Sequence, residues 1–159
     1  MQFYSTNRKT SPVSLREAVV RGLAADRGLF MPEVIRRFPP AFYQNMKEMT
    51  LREISFVVAE AFFGEDVEAG KLKEIVDETL NFDIPLVQVA DNRYSLELFH
   101  GPTLAFKDVG ARFMARLLAY FNKQEGERQV NVLVATSGDT GSAVAVSYTH
   151  LTLPTKLEV

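Results

Sequence analysis

The sequence contains no cysteine, which excludes a disulfide framework, a thiolate metal site and a cysteine nucleophile. Basic residues are not in excess either, and a net charge of -2 leaves no basic stripe for a nucleic acid. Long apolar runs are lacking, since residues 56–63 are interrupted by Glu60 and are far too short to cross a membrane. The polar opening carries no secretion signal. We therefore expect a cytoplasmic protein without nucleic-acid or membrane partners.

The composition does supply a hydrophobic core. Hydrophobic residues make up 47% of the 159 positions and include 12 phenylalanines, which suits a domain of ordinary size. Residues 14–17 (Ser-Leu-Arg-Glu) and 50–53 (Thr-Leu-Arg-Glu) have capping-box spacing, and a glycine ends the apolar pattern that follows each of them. Apolar residues at helical spacing over 72–80 indicate a third helix. We predict a helical N-terminal domain over residues 1–80.

The second half of the chain has a different pattern. Residues 84–87 and 94–99 are short and strand-like, and apolar residues at helical spacing over 109–121 predict an amphipathic helix. An apolar run over 130–135 has the length of a strand covered on both faces, and a further helix begins at Thr140. Alternating strands and helices are typical of an α/β fold with a parallel sheet and crossover helices.

This alternation stops near the end of the sequence. From Val146 onward the chain is rich in threonine, its leucines alternate, and Pro154 follows, which is poor material for a helix. We expect the helix that begins at Thr140 to end after about two turns, too short to cover a strand. The second domain, residues 81–145, is then truncated, and residues 146–159 form an anomalous, non-native tail.

Lys107 is the first candidate for chemistry. Gly101 and Pro102 fix a turn before it, and the apolar Phe106 precedes it directly. A lysine that condenses with an aldehyde works best where its ammonium is partly desolvated, and the small Gly110 leaves room for a flat ring. The plain alternative is a solvated surface lysine, which is the interpretation that the local pattern by itself favours.

The second candidate is the run Ser137-Gly138-Asp139-Thr140-Gly141, which opens a helix after the apolar run. Successive backbone N–H groups at such a helix start suit a carboxylate or a phosphate. Asp139 or Thr140 could equally be a simple N-cap. The run is neither a Walker loop nor a G-x-G-x-x-G dinucleotide turn, and we assign no metal ligand anywhere in the chain.

The two runs together resemble a known family. Residues 103–111, which include Leu-Ala-Phe-Lys-Asp, resemble the pyridoxal-phosphate attachment site of the serine/threonine dehydratase group, with Glu97 at the upstream acidic position. The longer stretch 96–108 and the run 136–141 are similar specifically to the threonine synthase family, as is the segment 22–32 with its Gly-Leu-Ala-Ala-Asp start. The resemblance covers about residues 1–145.

The resemblance implies a fold, a cofactor and a reaction. The fold is an open parallel sheet of the tryptophan-synthase-β kind (fold type II), preceded by the helical segment. Lys107 is implied to bind pyridoxal 5'-phosphate covalently, beside Phe106 and Asp139, and then to move protons on the substrate. The implied substrate-binding residues are those of the helix-opening turn: Thr136, Ser137, Gly138, Asp139 and Thr140. The family converts O-phosphohomoserine and water into L-threonine and phosphate.

Three alternatives remain at this stage. One is a β-eliminating or β-replacing relative such as threonine dehydratase or cysteine synthase, against which residues 100–103 (His-Gly-Pro-Thr) and Asp139 argue. Another is a non-catalytic protein that keeps the fold without the chemistry. The third is a fragment that is inactive alone, because the family's glycine-rich loop for the cofactor phosphate and its partner for the ring nitrogen lie further downstream.

Overall fold

The computed structural model describes residues 1–124, 126, 129–136 and 138–149. It is a mixed α/β structure whose chain divides into two compact units, Met1–Glu78 and Thr79–Val159. The division lies next to the predicted change of pattern after residue 80, and the assignment of a truncated second domain stays a prediction. Ser137, His150 and the rest of the predicted tail to Val159 lie outside the described residues.

The first unit contains a sheet that the helical prediction missed. Strands Gln2–Ser5 (β1), Val13–Ser14 (β2) and Phe30–Pro32 (β3) form an antiparallel sheet in the order β2-β1-β3. Phe3 in the central strand pairs with Val13 on one side and with Pro32 on the other. Strands of two to four residues are too short to show the alternation that identifies a strand, so the pattern gave no warning of them.

The helices of this unit agree better with the sequence. They are Leu15–Arg21 (α1), Pro40–Asn45 (α2), Leu51–Phe63 (α3) and Ala69–Thr79 (α4), with a short 3-10 helix at Met46–Glu48. Helices α1, α3 and α4 confirm the three predicted ones. The short α2, with Pro40 as its first residue, was not predicted because it lies in a turn-rich segment.

The predicted helix ends are confirmed. The Ser14 hydroxyl accepts a hydrogen bond from the Glu17 N–H at the start of α1. Thr50 and Glu53 form the complete reciprocal capping box at the start of α3, where the Glu53 carboxylate accepts from the Thr50 N–H at 2.7 Å. The Ser14 cap and the Thr50–Glu53 box satisfy donors that the first helical turn leaves free, so these two helices begin where the sequence places them.

The buried apolar residues of this unit come from the sheet and the helices together. Helix α4 contributes the predicted stripe, and the central strand contributes Phe3. The buried apolar residues are Phe3, Leu15, Ala18, Val19, Ala24, Ala59, Val67, Leu72, Ile75 and Val76. Burial of this apolar surface is the main favourable contribution to the stability of the unit.

A polar cluster around Asp26 ties β1 to the segment before β3. The fully buried Ser5 hydroxyl donates to one Asp26 carboxylate oxygen at 2.5 Å, and the N–H groups of Gly28 and Lys9 donate to the carboxylate at 3.0 Å and 2.9 Å. The bond from Ser5, followed by those from Gly28 and Lys9, lowers the pKa of the Asp26 carboxyl. A Cβ at Gly28 would lie 2.0 Å from the Ser5 hydroxyl oxygen, so only glycine fits there.

In the part of the second unit that the structure describes, the elements are a hairpin and two helices. Strands Leu86–Ala90 (β4) and Arg93–Leu96 (β5) pair antiparallel, with a bulge between Gln88 and Ala90. Helices Lys107–Gln124 (α5) and Asp139–Thr149 (α6) pack against each other. The amphipathic helix predicted over 109–121 is confirmed, whereas the predicted strand-like segments 84–87 and 94–99 only overlap the two strands, which lie at 86–90 and 93–96. The buried apolar side chains of these helices are Ala115, Leu117, Leu118, Phe121 and Ala143.

Two predictions for this unit are wrong. Residues 129–136 form no strand, and the Leu133 side chain is 95% exposed although the run was predicted to be covered on both faces. A parallel strand needs neighbours for its backbone groups, and the described residues place no strand beside this run. Helix α6 continues through Val146 to Thr149, past the expected stop, because helix packing outweighs weak propensity. Both sheets of the described residues are antiparallel.

Within the described part of the chain, no helix is both long and apolar enough to span a membrane.

The capping box of α3 gives a first prediction. Thr50→Ala removes the hydroxyl that accepts from the Glu53 N–H, and we expect it to lower the free energy of unfolding by about 1 kcal/mol. Urea unfolding followed by circular dichroism measures the change. Thr50→Ser keeps the hydroxyl and serves as the control. Equal stability of the Ala and Ser variants would contradict a role for the cap.

The Asp26 cluster predicts a pH dependence. Because hydrogen bonds lower the folded-state pKa of this carboxyl, its stabilisation is complete above the unfolded-state pKa of about 3.9 and is lost as the pH falls through the lower folded-state value. We expect the difference in unfolding free energy between wild type and Asp26→Asn to shrink in acid. Urea unfolding over a pH series measures it, and a difference that stays constant with pH would refute the assignment.

Candidate active site

The candidate lysine lies at the start of a helix. Lys107 is the first residue of α5, and its side chain is 33% exposed. Its ammonium lies 5.6 Å from the centre of the Phe106 ring. The helix begins two residues before the predicted stretch 109–121, so the amine lies at the helix N-terminus, where it is partly covered and still open to solvent.

Two consecutive turns lead into α5, and the second of them contains Lys107. The Leu104 N–H donates to the Gly101 carbonyl at 3.1 Å, and the Asp108 N–H donates to the Ala105 carbonyl at 3.0 Å. Leu104 has a φ of 58°, a left-handed conformation that costs a non-glycine residue about 1 kcal/mol. A conformation of this cost persists only where the surroundings fix it, so the backbone before Lys107 is held in a specific shape.

A buried carboxylate fixes that shape. Asp108 is fully buried, and its two oxygens accept from the Thr103 N–H at 2.9 Å and from the Thr103 hydroxyl at 2.7 Å. A Cβ at Gly101 would approach the Asp108 carboxylate to 2.5 Å, so the glycine is required by this close contact. The predicted role of Gly101 in the turn therefore has a concrete physical cause.

The helix-opening turn contains the second group of predicted residues. Gly138 has a φ of 138°, a conformation open to glycine, and Asp139 is the first residue of α6. The Gly138 carbonyl accepts from the Ser142 N–H at 2.9 Å and the Ser142 hydroxyl at 3.1 Å. Thr136 lies against the turn, since a Cβ at Gly141 would meet its methyl group at 2.7 Å. The small residues therefore allow close packing at the start of the helix.

An ion pair joins the two motifs. The Lys107 ammonium nitrogen lies 2.7 Å from an Asp139 carboxylate oxygen, across 32 positions of sequence. The hydrogen bond from Lys107, followed by the Thr140 N–H, lowers the pKa of the Asp139 carboxyl. Asp139 is the first residue of α6 and the Gly138 carbonyl accepts the first helical bond, so the alternative that Asp139 or Thr140 is the N-cap is wrong.

The predicted site residues are only partly assembled by the structure. Lys107 and Asp139 are in contact, with Phe106 beside the amine and with Thr136, Gly138 and Thr140 in the turn around Asp139. Ser137 lies outside the described residues. His100, considered as a proton shuttle or a structural residue, pairs with Glu97 at 2.7 Å and stacks on Phe99 with ring centroids 4.8 Å apart.

The sequence pattern indicated no individual role for Asp108, Thr103 or Arg112. Arg112 is buried, and its guanidinium donates to the Thr79 carbonyl at 3.1 Å and to the Asn81 side-chain oxygen at 2.8 Å. One signal could have found two of these residues. Asp108 and Arg112 continue the buried stripe of α5 toward its N-terminus at helical spacing, and a charged residue on such a stripe needs a partner.

The residues present fit an aldehyde cofactor. A primary amine can condense with an aldehyde, and the space next to Gly110 is open, since a Cβ there would meet nothing within 4 Å. Lys107 would hold the group covalently, and Asp139 and Phe106 border the same amine. No group of His, Cys, Asp or Glu that could hold a metal ion occurs among the described residues.

Comparison with known proteins identifies the family. Residues 2–80 match the family model described as the threonine synthase N terminus. The threonine synthase of Serratia marcescens is 40% identical over 148 residues, which is 93% of this chain and 34% of that protein. The chain belongs to the threonine synthase family. It spans about a third of the length of the curated threonine synthases that it matches.

Solved threonine synthase structures are similar in fold. The crystal structure of the Escherichia coli threonine synthase matches with a TM-score of 0.87 and 38% identity, over 96% of this chain and 35% of that one. The structure of the Brucella melitensis threonine synthase, solved with pyridoxal phosphate bound, also has a TM-score of 0.87, with 34% identity over 93% of this chain and 33% of that one. The mixed α/β arrangement is therefore that of threonine synthases.

The ion pair between Lys107 and Asp139 predicts that the pKa of the Asp139 carboxyl depends on Lys107. In Lys107→Met the ammonium donor is lost, so we expect the pKa of the Asp139 carboxyl to rise toward its ordinary value. Carbon-detected NMR of the carboxyl during an acid titration measures it. Lys123→Met, which removes an exposed lysine from the same helix, is the control. An Asp139 pKa that is the same in wild type and Lys107→Met would exclude the pair in solution.

Proposed function

We propose that this chain carries the cofactor lysine of a pyridoxal-phosphate-dependent threonine synthase. The reaction is the conversion of O-phosphohomoserine and water into L-threonine and phosphate, a carbon–oxygen lyase reaction acting on a phosphate ester. The contact between Lys107 and Asp139 carries the proposal, because it joins the two motifs on which the family resemblance depends. The relatives support it, including the Brucella melitensis enzyme solved with pyridoxal phosphate.

In this proposal Lys107 has two tasks. Its amine binds pyridoxal 5'-phosphate, which when bound supplies an electron sink for charge that develops on the substrate carbons. When it is not bonded to the cofactor, the Lys107 amine would hold and move protons at the substrate carbons. Because Lys107 is the first residue of α5, the helix fixes the backbone from which the side chain extends. The side chain is partly exposed, so a substrate can reach the amine.

Asp139 keeps the amine in place in this proposal. Its carboxylate is 2.7 Å from the Lys107 nitrogen, and this pairing lowers the pKa of a carboxyl group that is already charged at neutral pH. The pair is surface-accessible on the Asp139 side, so the contact orients the lysine and adds little to stability. Asp139 and Phe106 would then border the cofactor, as the resemblance implies.

The turn before α6 is proposed to bind the α-carboxylate of the substrate. Thr136 and Thr140 supply hydroxyls, Gly138 supplies a backbone N–H, and Ser137 completes the set. The positive end of the helix dipole favours an anion at this place. Because Asp139 is itself an anion, its pairing with Lys107 also reduces the repulsion that a substrate carboxylate would meet.

The complete fold is proposed to be the open parallel sheet of the tryptophan-synthase-β kind. The likeness to the Escherichia coli structure supports it, although the sheets described in this chain are antiparallel. Val132, Leu133 and Val134 are exposed apolar residues, and other parts of a longer chain would cover them. We also propose that residues 81–145 begin the cofactor domain and that residues 146–159 are foreign to it.

The lysine assignment is tested by chemical labelling. After incubation with pyridoxal phosphate and reduction with borohydride, we expect the label on the peptide that contains Lys107. Lys107→Arg keeps the positive charge beside Asp139 but cannot be labelled, so it should lose that label completely. Lys123→Arg changes a lysine of the same helix by the same chemistry and should keep it. A label on another residue only, or on none, would overturn the proposal.

The reaction is tested with protein made from its complete reading frame. We expect O-phosphohomoserine to yield threonine and an equal amount of phosphate, with a loss of at least about 1,000-fold in kcat for Lys107→Arg. Threonine offered alone separates the rival chemistry, since a dehydratase would convert it to a 2-oxo acid and ammonia. Formation of that 2-oxo acid without turnover of O-phosphohomoserine would assign the chain to the β-eliminating relatives.

A further inference from the structure

We propose that Asp108 is a positioning residue: through its two hydrogen bonds to Thr103 it holds the turn from Gly101 to Lys107 so that the lysine amine meets Asp139 and the cofactor. The inference rests on the proposed function for the cofactor part, whereas the contact with Asp139 is independent of it. Asp108 does not touch the reacting atoms in this assignment. It acts through the backbone that carries its neighbour.

The direction of the Asp108 hydrogen bonds is the first argument. An acidic residue in the first turn of a helix ordinarily faces the free N–H groups of that turn or solvent. Asp108 instead directs both carboxylate oxygens back along the chain, to the N–H and the hydroxyl of Thr103. These bonds close a loop of residues 103–108, and Lys107 lies inside that loop.

The burial of the carboxylate is the second argument. Asp108 has no exposed surface, and a charged side chain is buried at a cost that hydrogen bonds must offset. The site is filled closely: a Cβ at Gly101 would lie 3.0 Å from Phe82 as well as against the carboxylate. A merely solvated helix-start acid would need neither the burial nor the glycine.

The third argument is the strained residue inside the loop. Leu104 has its left-handed φ of 58° and a side chain 75% exposed, so its own packing does not fix that conformation. The Thr103–Asp108 bonds on one side and the turn bond from Leu104 to Gly101 on the other hold it. Without the Asp108 bonds, the backbone can relax, and Lys107 moves with it.

Arg112 anchors the helix that begins at Lys107. It lies one turn after Asp108 on the same buried face of α5. Its bonds to the Thr79 carbonyl and the Asn81 side chain attach the helix to a second segment, 20 or more positions before the turn. Helix α5 is thus held at two successive turns, and the loop bonded to Asp108 cannot shift simply by rolling the helix.

Variants of Thr103 test the proposal with little risk to the fold. Thr103→Val keeps the shape and removes the hydroxyl that donates to Asp108, whereas Thr103→Ser keeps the hydroxyl. We expect Thr103→Val to slow the labelling of Lys107 by pyridoxal phosphate at least about tenfold, and Thr103→Ser to restore it to within about twofold of wild type. Asp108→Asn, which cannot accept both bonds, should act like Thr103→Val.

The control separates position from stability. Thr50→Val removes a cap hydroxyl of comparable kind in the first unit, and its labelling rate should stay at the wild-type value even where its melting temperature falls as much as that of Thr103→Val. A second readout needs no cofactor. The pKa of the Asp139 carboxyl, followed by NMR, should rise in Thr103→Val and in Asp108→Asn, and stay unchanged in Thr50→Val.

The outcomes are distinguishable. If wild type is not labelled at Lys107 the proposed function fails, and the Asp139 titration still decides the positioning role. If wild type is labelled, and Thr103→Val and Asp108→Asn match it in both labelling rate and Asp139 titration, the positioning role is refuted. A labelling loss that Thr50→Val shares at equal loss of stability would likewise refute it, since the effect would then be one of folding only.

Discussion

The hydrogen bonds between Thr103 and the buried Asp108 carboxylate are the constraint on which the candidate site depends. They explain why residue 101 is a glycine, why Leu104 keeps a left-handed backbone and why Lys107 begins its helix at a defined place. A buried charge with both oxygens hydrogen-bonded tolerates little movement, because any displacement leaves an acceptor unsatisfied in a place that water does not reach. The position of the Lys107 amine thus depends on Asp108, whose carboxylate is directed to Thr103 and not to the amine.

Local sequence signals predicted the local structure well. The capping residues Ser14 and Thr50 and the apolar stripe of α5 located helices because these devices act within a few residues. The strands of the first unit were missed because two to four residues carry too little alternation. The strand over 130–135 was wrong because a strand depends on partners that the run itself does not specify, and the run is also interrupted by Asn131.

The sequence predicted which residues belong to the candidate site, but not how they are arranged or which residues support them. Motif resemblance selected Lys107 and Asp139 without any indication of how they lie relative to each other, and the structure adds the 2.7 Å contact between them. The supporting residues were not found, although Asp108 and Arg112 continue a buried stripe. Chemistry-bearing residues are recognisable by type and order. Residues that position them are recognisable only from their contacts, and those contacts exist only in the folded structure.

The hairpin of the second unit has a consequence for handling the protein. Leu86, Val89 and Leu96 expose their apolar side chains to solvent, and so does the apolar run over 132–134. Apolar strands with free edges favour pairing between molecules, and that tendency grows with concentration. Self-association would then begin at the hairpin rather than at the helices. The protein concentration at which it begins would be higher in a longer polypeptide whose other parts cover those strands.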